Sequence, residues 1–508
     1  MGQEGSPRAG VRQWLGLGLL ALPTVLLGLD VTVLYLVVPN LMDDLAPSRT
    51  QVLWIMDVYG FFIAGFLITM GTLGDRIGRR RLLIIGTLAF AALSVGAAFA
   101  PSAELLILAR ALLGIAGATL MPSTLSLISN MFPDVRERAV AIGVWATMFA
   151  LGMAAGPVIG GGLVDAFWWG AAFLLAVPIA AVVVVGARPL LPEYADPAAG
   201  RPDLISVILS LLAILPIIYA VKHTAAYGPE PQALGFTAVG GLAGVMFLHR
   251  QRRLVDPLLD VTLFRSRAFV VALTVLLIGL VGVGGAMYLV TQYFQLVEGL
   301  QPLVAGLWMG PPALAMFAAA VGAPLIARRI RPGQVMGAAL GGSLTGYVLL
   351  ATAETGDRML VAVGFAFVYL GLGAIAALGT DMVVGAAPVA KSGSAASMSE
   401  TVQELGIAVG VALLGSLTTA IYRSQVLVPD GLAPDAVDAL TDSLNATVAI
   451  AEDLPTGAAE AAQRAFTHGL NTAALVSAVA IAAAATLCLV ALRHVPPLGQ
   501  DQSAQTKR

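Results

Sequence analysis

The chain has 508 residues, of which 58% are apolar and only 11% charged, whereas roughly a quarter of a soluble domain is charged. So little polar surface predicts an integral membrane protein. A net charge of −2 without a basic patch argues against a nucleic-acid partner. The single cysteine, Cys488, excludes an intramolecular disulfide. The apolar run after Arg8 and Arg12 is too long for a signal peptide, so we expect a retained first helix.

Apolar runs of about 20 residues, the length that spans a bilayer as a helix, recur along the chain. In chain order they cover residues 14–38, 51–73, 82–100, 104–128, 138–162, 168–188, 203–222, 233–249, 268–294, 303–327, 333–352, 359–385, 395–421 and 467–492. The predicted fold class is therefore all-α, a polytopic membrane protein with fourteen transmembrane helices. An even number of crossings puts both termini on one side of the membrane.

Basic residues indicate which side this is, because cytoplasmic loops carry an excess of Lys and Arg. With cytoplasmic termini, Arg110 lies inside a span and the outer loops hold few of the 28 basic residues: Arg49, Lys222, Arg358, Arg423 and Arg464. Both termini are thus predicted to be cytoplasmic. The long loop 424–466 is then outside, and its Ala- and Asp-rich sequence predicts an extracellular flap or short hairpin.

The stretch "GTLGDRIGRRRLL" (71–83) lies in the predicted inner loop between the second and third helices. Its glycines permit a tight turn, Asp75 can face a helix N-terminus or a cationic side chain, and the arginines can hold the loop at the anionic inner leaflet. The spacing is too specific for a loop that is only positively charged. It resembles the signature loop of the major facilitator superfamily. This resemblance implies a conformational latch built by Gly71, Asp75, Arg76, Gly78 and Arg79.

Three further stretches resemble motifs of the same superfamily. "LARALLGIAGATLMPS" (108–123) is similar to its fourth-helix motif, with an intramembrane Arg110 before a stripe of small residues, and "LDVTVLYLVVPNL" (29–41) to the first-helix motif of the fourteen-helix drug:proton antiporters. "LGMAAGPVIGGGLVD" (151–165) resembles the fifth-helix motif of the exporters, carried here by Gly152, Gly156, Pro157, Gly160 and Gly161. Glycine every four residues flattens a helix face for close packing, and Pro157 permits a bend.

The resemblance continues through residues 53–59, 121–128 and 390–406 and so covers nearly the whole chain. It points to multidrug exporters that expel quaternary ammonium compounds and dyes. Some members carry an additional acid on helix ten, whereas the corresponding stretch here, "WMGPPALAMF" (308–317), has none. That departure puts the handling of dications in doubt.

Three charged residues lie within predicted spans of the first half, where each is costly and marks a functional candidate. At ~1.5 Å per residue, Asp30, Asp57 and Arg110 lie ~6, ~7 and ~9 Å from the centre of their spans. One shared depth predicts a polar layer that couples transport to protons. The alternative is a structural network in which Arg110 neutralises one aspartate and nothing titrates.

In the second half, Glu400 and Glu404 are four residues apart and share a helix face. Two carboxylates on a cavity-facing stripe suit an organic cation, although Glu400 has the alternative of marking a wet helix end. Asp381, near another inner helix end, we interpret as unremarkable. Aromatic and amide side chains can complete a cation site, and the candidates are Tyr59, Phe149, Tyr288, Gln292 and Trp308.

The resulting prediction is a major facilitator fold with two six-helix bundles, at 14–188 and 268–492. A linker at 189–267 carries the two extra helices, and 1–13 and 493–508 are cytoplasmic tails. The predicted function is proton-coupled export of lipophilic cationic drugs across a bacterial plasma membrane by alternating access. We expect a monomer embedded in the lipid bilayer, with no metal and no cofactor.

Alternatives from other classes are weaker. An exporter dedicated to one self-made antibiotic or lipid stays open, because the same family supplies such proteins. A membrane-embedded enzyme needs a catalytic constellation, yet the histidines lie at span ends or in loops: His223, His249, His468 and His494. A channel is disfavoured because the two halves carry unlike polar residues. "GVGGAM" (282–287) lacks the strand and the Lys of a phosphate-binding loop, so no ATP site is visible.

Overall fold

The computed structural model describes residues 9–47, 49–195, 203–227, 230–254, 257, 259, 261–387, 392–429, 432–451, 454–455 and 457–498; within these ranges the side chains of some helix residues, Asp57 among them, lie outside the description. The described residues form helices almost throughout and no strand. The α-helices are α1 (Val11–Leu45), α2 (Arg49–Ile77), α3 (Arg79–Ala98), α4 (Ala103–Met131), α5 (Val135–Ala166), α6 (Ala171–Leu174), α7 (Ala176–Leu190), α8 (Leu204–Tyr227), α9 (Pro231–Gln251), α10 (Arg267–Gln292), α11 (Pro302–Trp308), α12 (Gly310–Ala327), α13 (Pro332–Ala351), α14 (Arg358–Gly385), α15 (Ser392–Gln425), α16 (Pro434–Asp442), α17 (Leu444–Ala449) and α18 (Ala458–Ala491). A 3₁₀ turn covers Val261–Arg265, and a π-helical turn covers Tyr293–Val297.

Each of the fourteen predicted segments coincides with a helix or with two consecutive helices. The segment 168–188 is broken at Leu175 between α6 and α7, and the segment 303–327 at Met309 between α11 and α12. Within the described residues, twelve helices are long and apolar enough to cross a membrane, and α8 adds a shorter apolar stretch, Leu204–Ile217. The all-helical class is confirmed, whereas the count of fourteen membrane crossings stays a prediction.

Buried side chains form two large hydrophobic cores. One is built mainly by α1–α7, with Leu20 and Leu113 at its centre, and the other mainly by α10–α18, with Phe269 and Phe365. We call α1–α7 the N-terminal bundle and α10–α15 with α18 the C-terminal bundle. This is the arrangement expected of a major facilitator fold, and the domain limits given above remain predictions.

The two helices between the bundles, α8 and α9, pack against each other as a hairpin. A 2.6 Å ion pair between Asp203 and Arg250 joins them near one end. Helix α8 also packs on α2 and on α15, one helix from each bundle. The contact with α2 is close, because a Cβ on Gly65 would lie 2.8 Å from a methyl group of Leu215. The hairpin therefore lies along the seam between the bundles.

The long loop predicted to be a flap or short hairpin contains the two short helices α16 and α17. The hydroxyl of Tyr422 at the end of α15 donates to the carbonyl of Leu440 at 2.9 Å and lies 2.8 Å from the hydroxyl of Thr447. Leu440 and Thr447 are fully buried. These contacts fasten both short helices to α15.

Helices α1 and α5 pack at backbone distance. A Cβ added to Gly152 would overlap the carbonyl oxygen of Val25 and lie 3.0 Å from the nitrogen of Leu29. From the opposite side, a Cβ on Gly28 would overlap the carbonyl oxygen of Phe149. Because both obstacles are backbone atoms, neither can move without moving a helix.

We therefore expect Gly152→Ala to lower the stability of the purified protein by about 1–3 kcal/mol, the usual cost of overpacking. The measurement is the thermal unfolding midpoint in detergent. Gly162→Ala is the matched control, because a Cβ at Gly162 on the same helix meets no atom within 4 Å. Equal midpoints for the two variants would contradict the close packing of α1 on α5.

Candidate functional site

A buried ion pair joins α1 to α4. Nη1 of Arg110 lies 2.5 Å from Oδ2 of Asp30, and the two side chains are 2% and 9% exposed. Nε of Arg110 donates to the carbonyl of Ile55 on α2 at 3.3 Å, and the guanidinium lies 4.4 Å from the ring centroid of Tyr59. Charges in an apolar interior need such partners, so Arg110 ties three helices together around Asp30.

Tyr59 extends this pair towards the C-terminal bundle. The residue is 3% exposed, and its hydroxyl has no hydrogen-bond partner among the described residues. The charges of Asp30, Arg110 and Glu404 all act on this hydroxyl. Glu404 lies on α15, which packs directly on α2. The structure thus brings together four residues that the sequence singles out, from both bundles.

The carboxylates of α15 belong to a buried polar cluster. Nε2 of Gln403 donates to Oε1 of Glu400 at 3.0 Å and to the hydroxyl of Ser399 at 3.2 Å, and that hydroxyl lies 3.5 Å from Thr380 on α14. Glu400 is 3% exposed, so the alternative that it marks a wet helix end is wrong. Glu404, one turn further on, is partly buried. We call these five residues the α15 polar cluster.

The other candidates for substrate binding are not joined into this group. Phe149 packs against the N-terminal core, Trp308 lies 6.2 Å from the ring of Phe294, and Tyr288 is 41% exposed. Gln292 is partly buried at the end of α10. Among the described residues, none of the four has a hydrogen bond or ring contact to the ion pair. The side chain of Asp57 lies outside the described residues, so its place in the polar layer stays a prediction.

The exporter motif forms the surface on which α1 rests. A Cβ on Gly156 would overlap the hydroxyl of Thr32, and one on Gly160 would lie 3.1 Å from Val33. Thr32 also donates to the carbonyl of Met153 on α5 at 3.0 Å. The glycines thus hold the helix that carries Asp30. The surroundings of two other motif residues lie outside the description: Pro157 and Gly161.

The signature loop is stabilised by contacts among its own residues. Asp75 forms an ion pair with Arg79, whose Nη1 donates to the carbonyl of Gly71 at 2.8 Å. Arg79 is fully buried and Arg76 partly buried. The expectation that the whole arginine cluster lies at the lipid surface is therefore wrong for Arg79, because this side chain closes the turn between α2 and α3.

Glu193, just after α7, is a partner of this loop that the sequence analysis missed. Gly78 has φ +107°, which favours glycine, and a Cβ there would overlap the Glu193 carboxylate. Oε1 of Glu193 accepts from the backbone nitrogen of Arg80 at 3.2 Å, and its Oε2 lies 3.8 Å from Nε of Arg81. No signal in the sequence pointed to this contact, because Glu193 lies 113 positions from Arg80.

A second ion pair crosses between the bundles. Nε of Arg138 on α5 donates to Oδ1 of Asp381 on α14 at 2.6 Å, and Asp381 is 3% exposed. Beside it, a Cβ on Gly143 of α5 would overlap the carbonyl oxygen of Ala320 on α12 and lie 3.3 Å from Cβ of Ala377 on α14. The interpretation of Asp381 as an unremarkable helix end is wrong, because this residue pairs with the opposite bundle.

Both ends of the described chain lie at this crossing. The backbone nitrogen of Ala9 donates to Oε2 of Glu137 at 2.7 Å, and Nε of Arg136 donates to the carbonyl of Leu498 at 3.0 Å. We call this side of the molecule the tail face and the opposite side the distal face. At the tail face the two bundles touch, so the space between them is closed there.

Comparison with known proteins agrees with this geometry. Residues 20–411 match the family model described as Major Facilitator Superfamily. The chain is 42% identical to the multidrug efflux pump LfrA of Mycolicibacterium smegmatis over 97% of this chain and 99% of the relative. It is 33% identical to the methyl viologen resistance protein SmvA of Salmonella typhimurium, over 87% and 90% of the two chains.

Among solved structures, the chain resembles the human organic anion transporter MFSD10 (TETRAN), with a TM-score of 0.59 at 14% identity over 92% of this chain and 99% of that one. This likeness supports the fold alone. With its apolar helices and transporter relatives, the chain is a multi-pass membrane transporter and not an enzyme. It belongs to the Major Facilitator Superfamily.

Proposed function

We propose that this transporter is a proton-coupled antiporter that exports lipophilic cations from the cytoplasm. The observation that carries the proposal is the chain of interacting groups from Asp30 through Arg110 and Tyr59 to Glu404. It links a carboxylate paired inside one bundle to a carboxylate of the other. Intramembrane carboxylates of this kind mark proton relays and ion pathways.

The coupling follows from electrostatics. When Asp30 is ionised, it neutralises Arg110. When Asp30 takes up a proton, the pair loses its attraction and the positive charge of Arg110 is left facing the ring of Tyr59. Arg110 and Glu404 both lie within electrostatic range of Tyr59, so the unbalanced charge of Arg110 disfavours a second positive charge at Glu404. A cation at Glu404 and a proton on Asp30 therefore oppose each other, which is the requirement for exchange.

The chemistry of the α15 polar cluster favours a cationic substrate. Glu400 and Glu404 lie one helical turn apart within the membrane-spanning part of α15, and two carboxylates in such a place favour a positively charged ligand. A lipophilic cation supplies that charge while its apolar part remains in contact with the helices. The names of LfrA and SmvA, a multidrug efflux pump and a methyl viologen resistance protein, support this assignment.

The closed tail face indicates which conformational change transport requires. We assign the tail face to the cytoplasm, from the distribution of basic residues, in a bacterial plasma membrane, with a monomer as the working unit. Loading from the cytoplasm then requires the bundles to separate where Arg138 meets Asp381. In this proposal the latch consists of that ion pair and the signature loop. The loop contributes Gly71, Asp75, Arg76, Gly78 and Arg79.

Asp30→Asn tests the proton step. The amide keeps the shape but cannot exchange a proton, so uphill efflux of a fluorescent cation driven by a pH gradient should fall to background in liposomes. Binding of the same cation by the purified variant should persist. Asp44→Asn, at the exposed end of the same helix, is the control. Full gradient-driven transport by Asp30→Asn would make the pair a structural contact only.

Substrate charge is tested by replacing Glu400 and Glu404 with Gln. Loss of a charge-assisted interaction of about 1.5–3 kcal/mol should weaken a quaternary ammonium compound roughly ten- to a hundredfold. Affinity for a neutral compound of equal size should change little. Tryptophan fluorescence titration measures both affinities. Equal losses for both compounds would show that the carboxylates only support the fold.

Asp381→Asn should open the tail face, because breaking one partner of a buried charge pair costs about 2 kcal/mol or more. A cysteine is introduced at Ala377, which is buried beneath the crossing, in a Cys488→Ala background. The measurement is the rate at which an impermeant reagent alkylates this cysteine. Faster labelling is expected. Asp203→Asn removes an ion pair of equal length from the inserted hairpin and should leave the rate unchanged. A rate unaffected by Asp381→Asn would remove this pair from the latch.

A further inference from the structure

A small cavity lies inside the N-terminal bundle, beside Asp30. Its walls come from α1, α3, α6 and α7, together with Leu175 at the break between the last two. Ser94 lies near the distal end of α3, and Phe173 lies in α6 at the distal end of the bundle. The cavity therefore extends from Asp30 towards the distal face.

Of the lining residues that the structure describes, only Asp30 and Ser94 carry polar groups in their side chains; the others are apolar, among them Leu26, Phe90 and Ala176. Ser94 is 1% exposed, and its hydroxyl makes no hydrogen bond to a described residue. Arg110 occupies Oδ2 of Asp30, and among the described residues Oδ1 has no partner. Two unused polar groups thus face one apolar space.

The volume of the cavity is about 20 Å³. A water molecule needs roughly 10–15 Å³ together with two or more polar partners. Asp30 and Ser94 supply those partners. A drug molecule does not fit, since ligand pockets measure about 300–1,000 Å³.

The cavity and the seam lie on different sides of Asp30. Arg110 and Tyr59 approach the carboxylate from α4 and α2, the side on which Glu404 and α15 lie. Among the described residues, the lining of the cavity includes none from α2, α4 or α15. The carboxylate therefore stands between the seam and a separate space within its own bundle.

We infer that this cavity binds a water molecule bridging Asp30 and Ser94, and that protons from the distal side reach Asp30 through it and not through the seam that holds the substrate. In the step itself a hydronium ion gives its proton to Oδ1 of the Asp30 carboxylate, leaving water and a neutral carboxyl group. The inference rests on the proposed proton coupling. It adds that proton and substrate use different entrances, so a bound cation does not obstruct the path of the proton that displaces it.

The C-terminal bundle provides a matched control. It contains a smaller cavity lined by Ala474, Ser477 and Tyr347 among others, with no carboxylate among its described lining residues. Ser477, like Ser94, is a buried serine, and it donates to the carbonyl of Ala473 at 2.9 Å. Equal changes in this cavity therefore alter a buried serine and a buried alanine that lie far from Asp30.

The test uses the whole purified protein in liposomes with ethidium as the cation. Ser94→Val removes the hydroxyl, and Ala176→Leu fills the space. Both should slow efflux driven by a pH gradient by at least about tenfold, the scale of a lost proton-transfer partner. Ethidium–ethidium exchange at equal pH, which moves no net proton, should stay near the unchanged rate, as should ethidium affinity. Ser94→Thr, which keeps the hydroxyl, should restore coupled transport.

Ser477→Val and Ala474→Leu should leave both rates unchanged. Coupled efflux by Ser94→Val and Ala176→Leu at the unaltered rate would overturn the inference. Equal losses of exchange and of coupled efflux in these two variants would also overturn the inference, because they would indicate a packing defect. The proposed function fails separately, if Asp30→Asn itself retains gradient-driven efflux.

Discussion

The pairing of Asp30 with Arg110 inside the membrane is the constraint on which the N-terminal bundle depends. Neither charge is tolerable there alone, since the penalty for burying an unpaired ion far exceeds that of any packing defect nearby. The pair therefore fixes α1 against α4, and the hydrogen bond from Arg110 to Ile55 adds α2. In the proposed mechanism a contact required for the fold is thus also the group that takes up the proton, which would link stability and turnover through one carboxylate.

The glycines of α5 solve a related problem of position. Gly152, Gly156 and Gly160 let α1 approach until backbone and side-chain atoms are in direct contact, and such close packing leaves little freedom to slide or rotate. The depth of Asp30 is therefore set by α5 as much as by Arg110. In the proposed mechanism the exporter motif thus determines the depth in the membrane of the carboxylate that takes up the proton.

Much of this could be predicted from the sequence. Apolar runs identify helices because the bilayer fixes their length, and Asp30 and Arg110 stand out because charge is rare in such runs. The long-range partners could not be predicted. Asp381 pairs with a residue 243 positions away, and Glu193 with one 113 positions away. A single sequence does not show which helix faces meet across two bundles. The burial of Arg79 could not be predicted either, because nothing in the sequence distinguishes it from the two arginines that follow it.

The inserted hairpin has a mechanical consequence. Helix α8 rests on α2 of one bundle and on α15 of the other, and these are the helices that carry Tyr59 and Glu404. If the bundles rock as rigid bodies, α8 cannot keep both contacts, so it must slip against one of them or travel with the other. The hairpin would thus restrain how far the two bundles separate, and the lipid around α8 would influence how easily this helix slides. Bilayer thickness and fluidity would then affect the turnover of this transporter more than that of a relative without the hairpin.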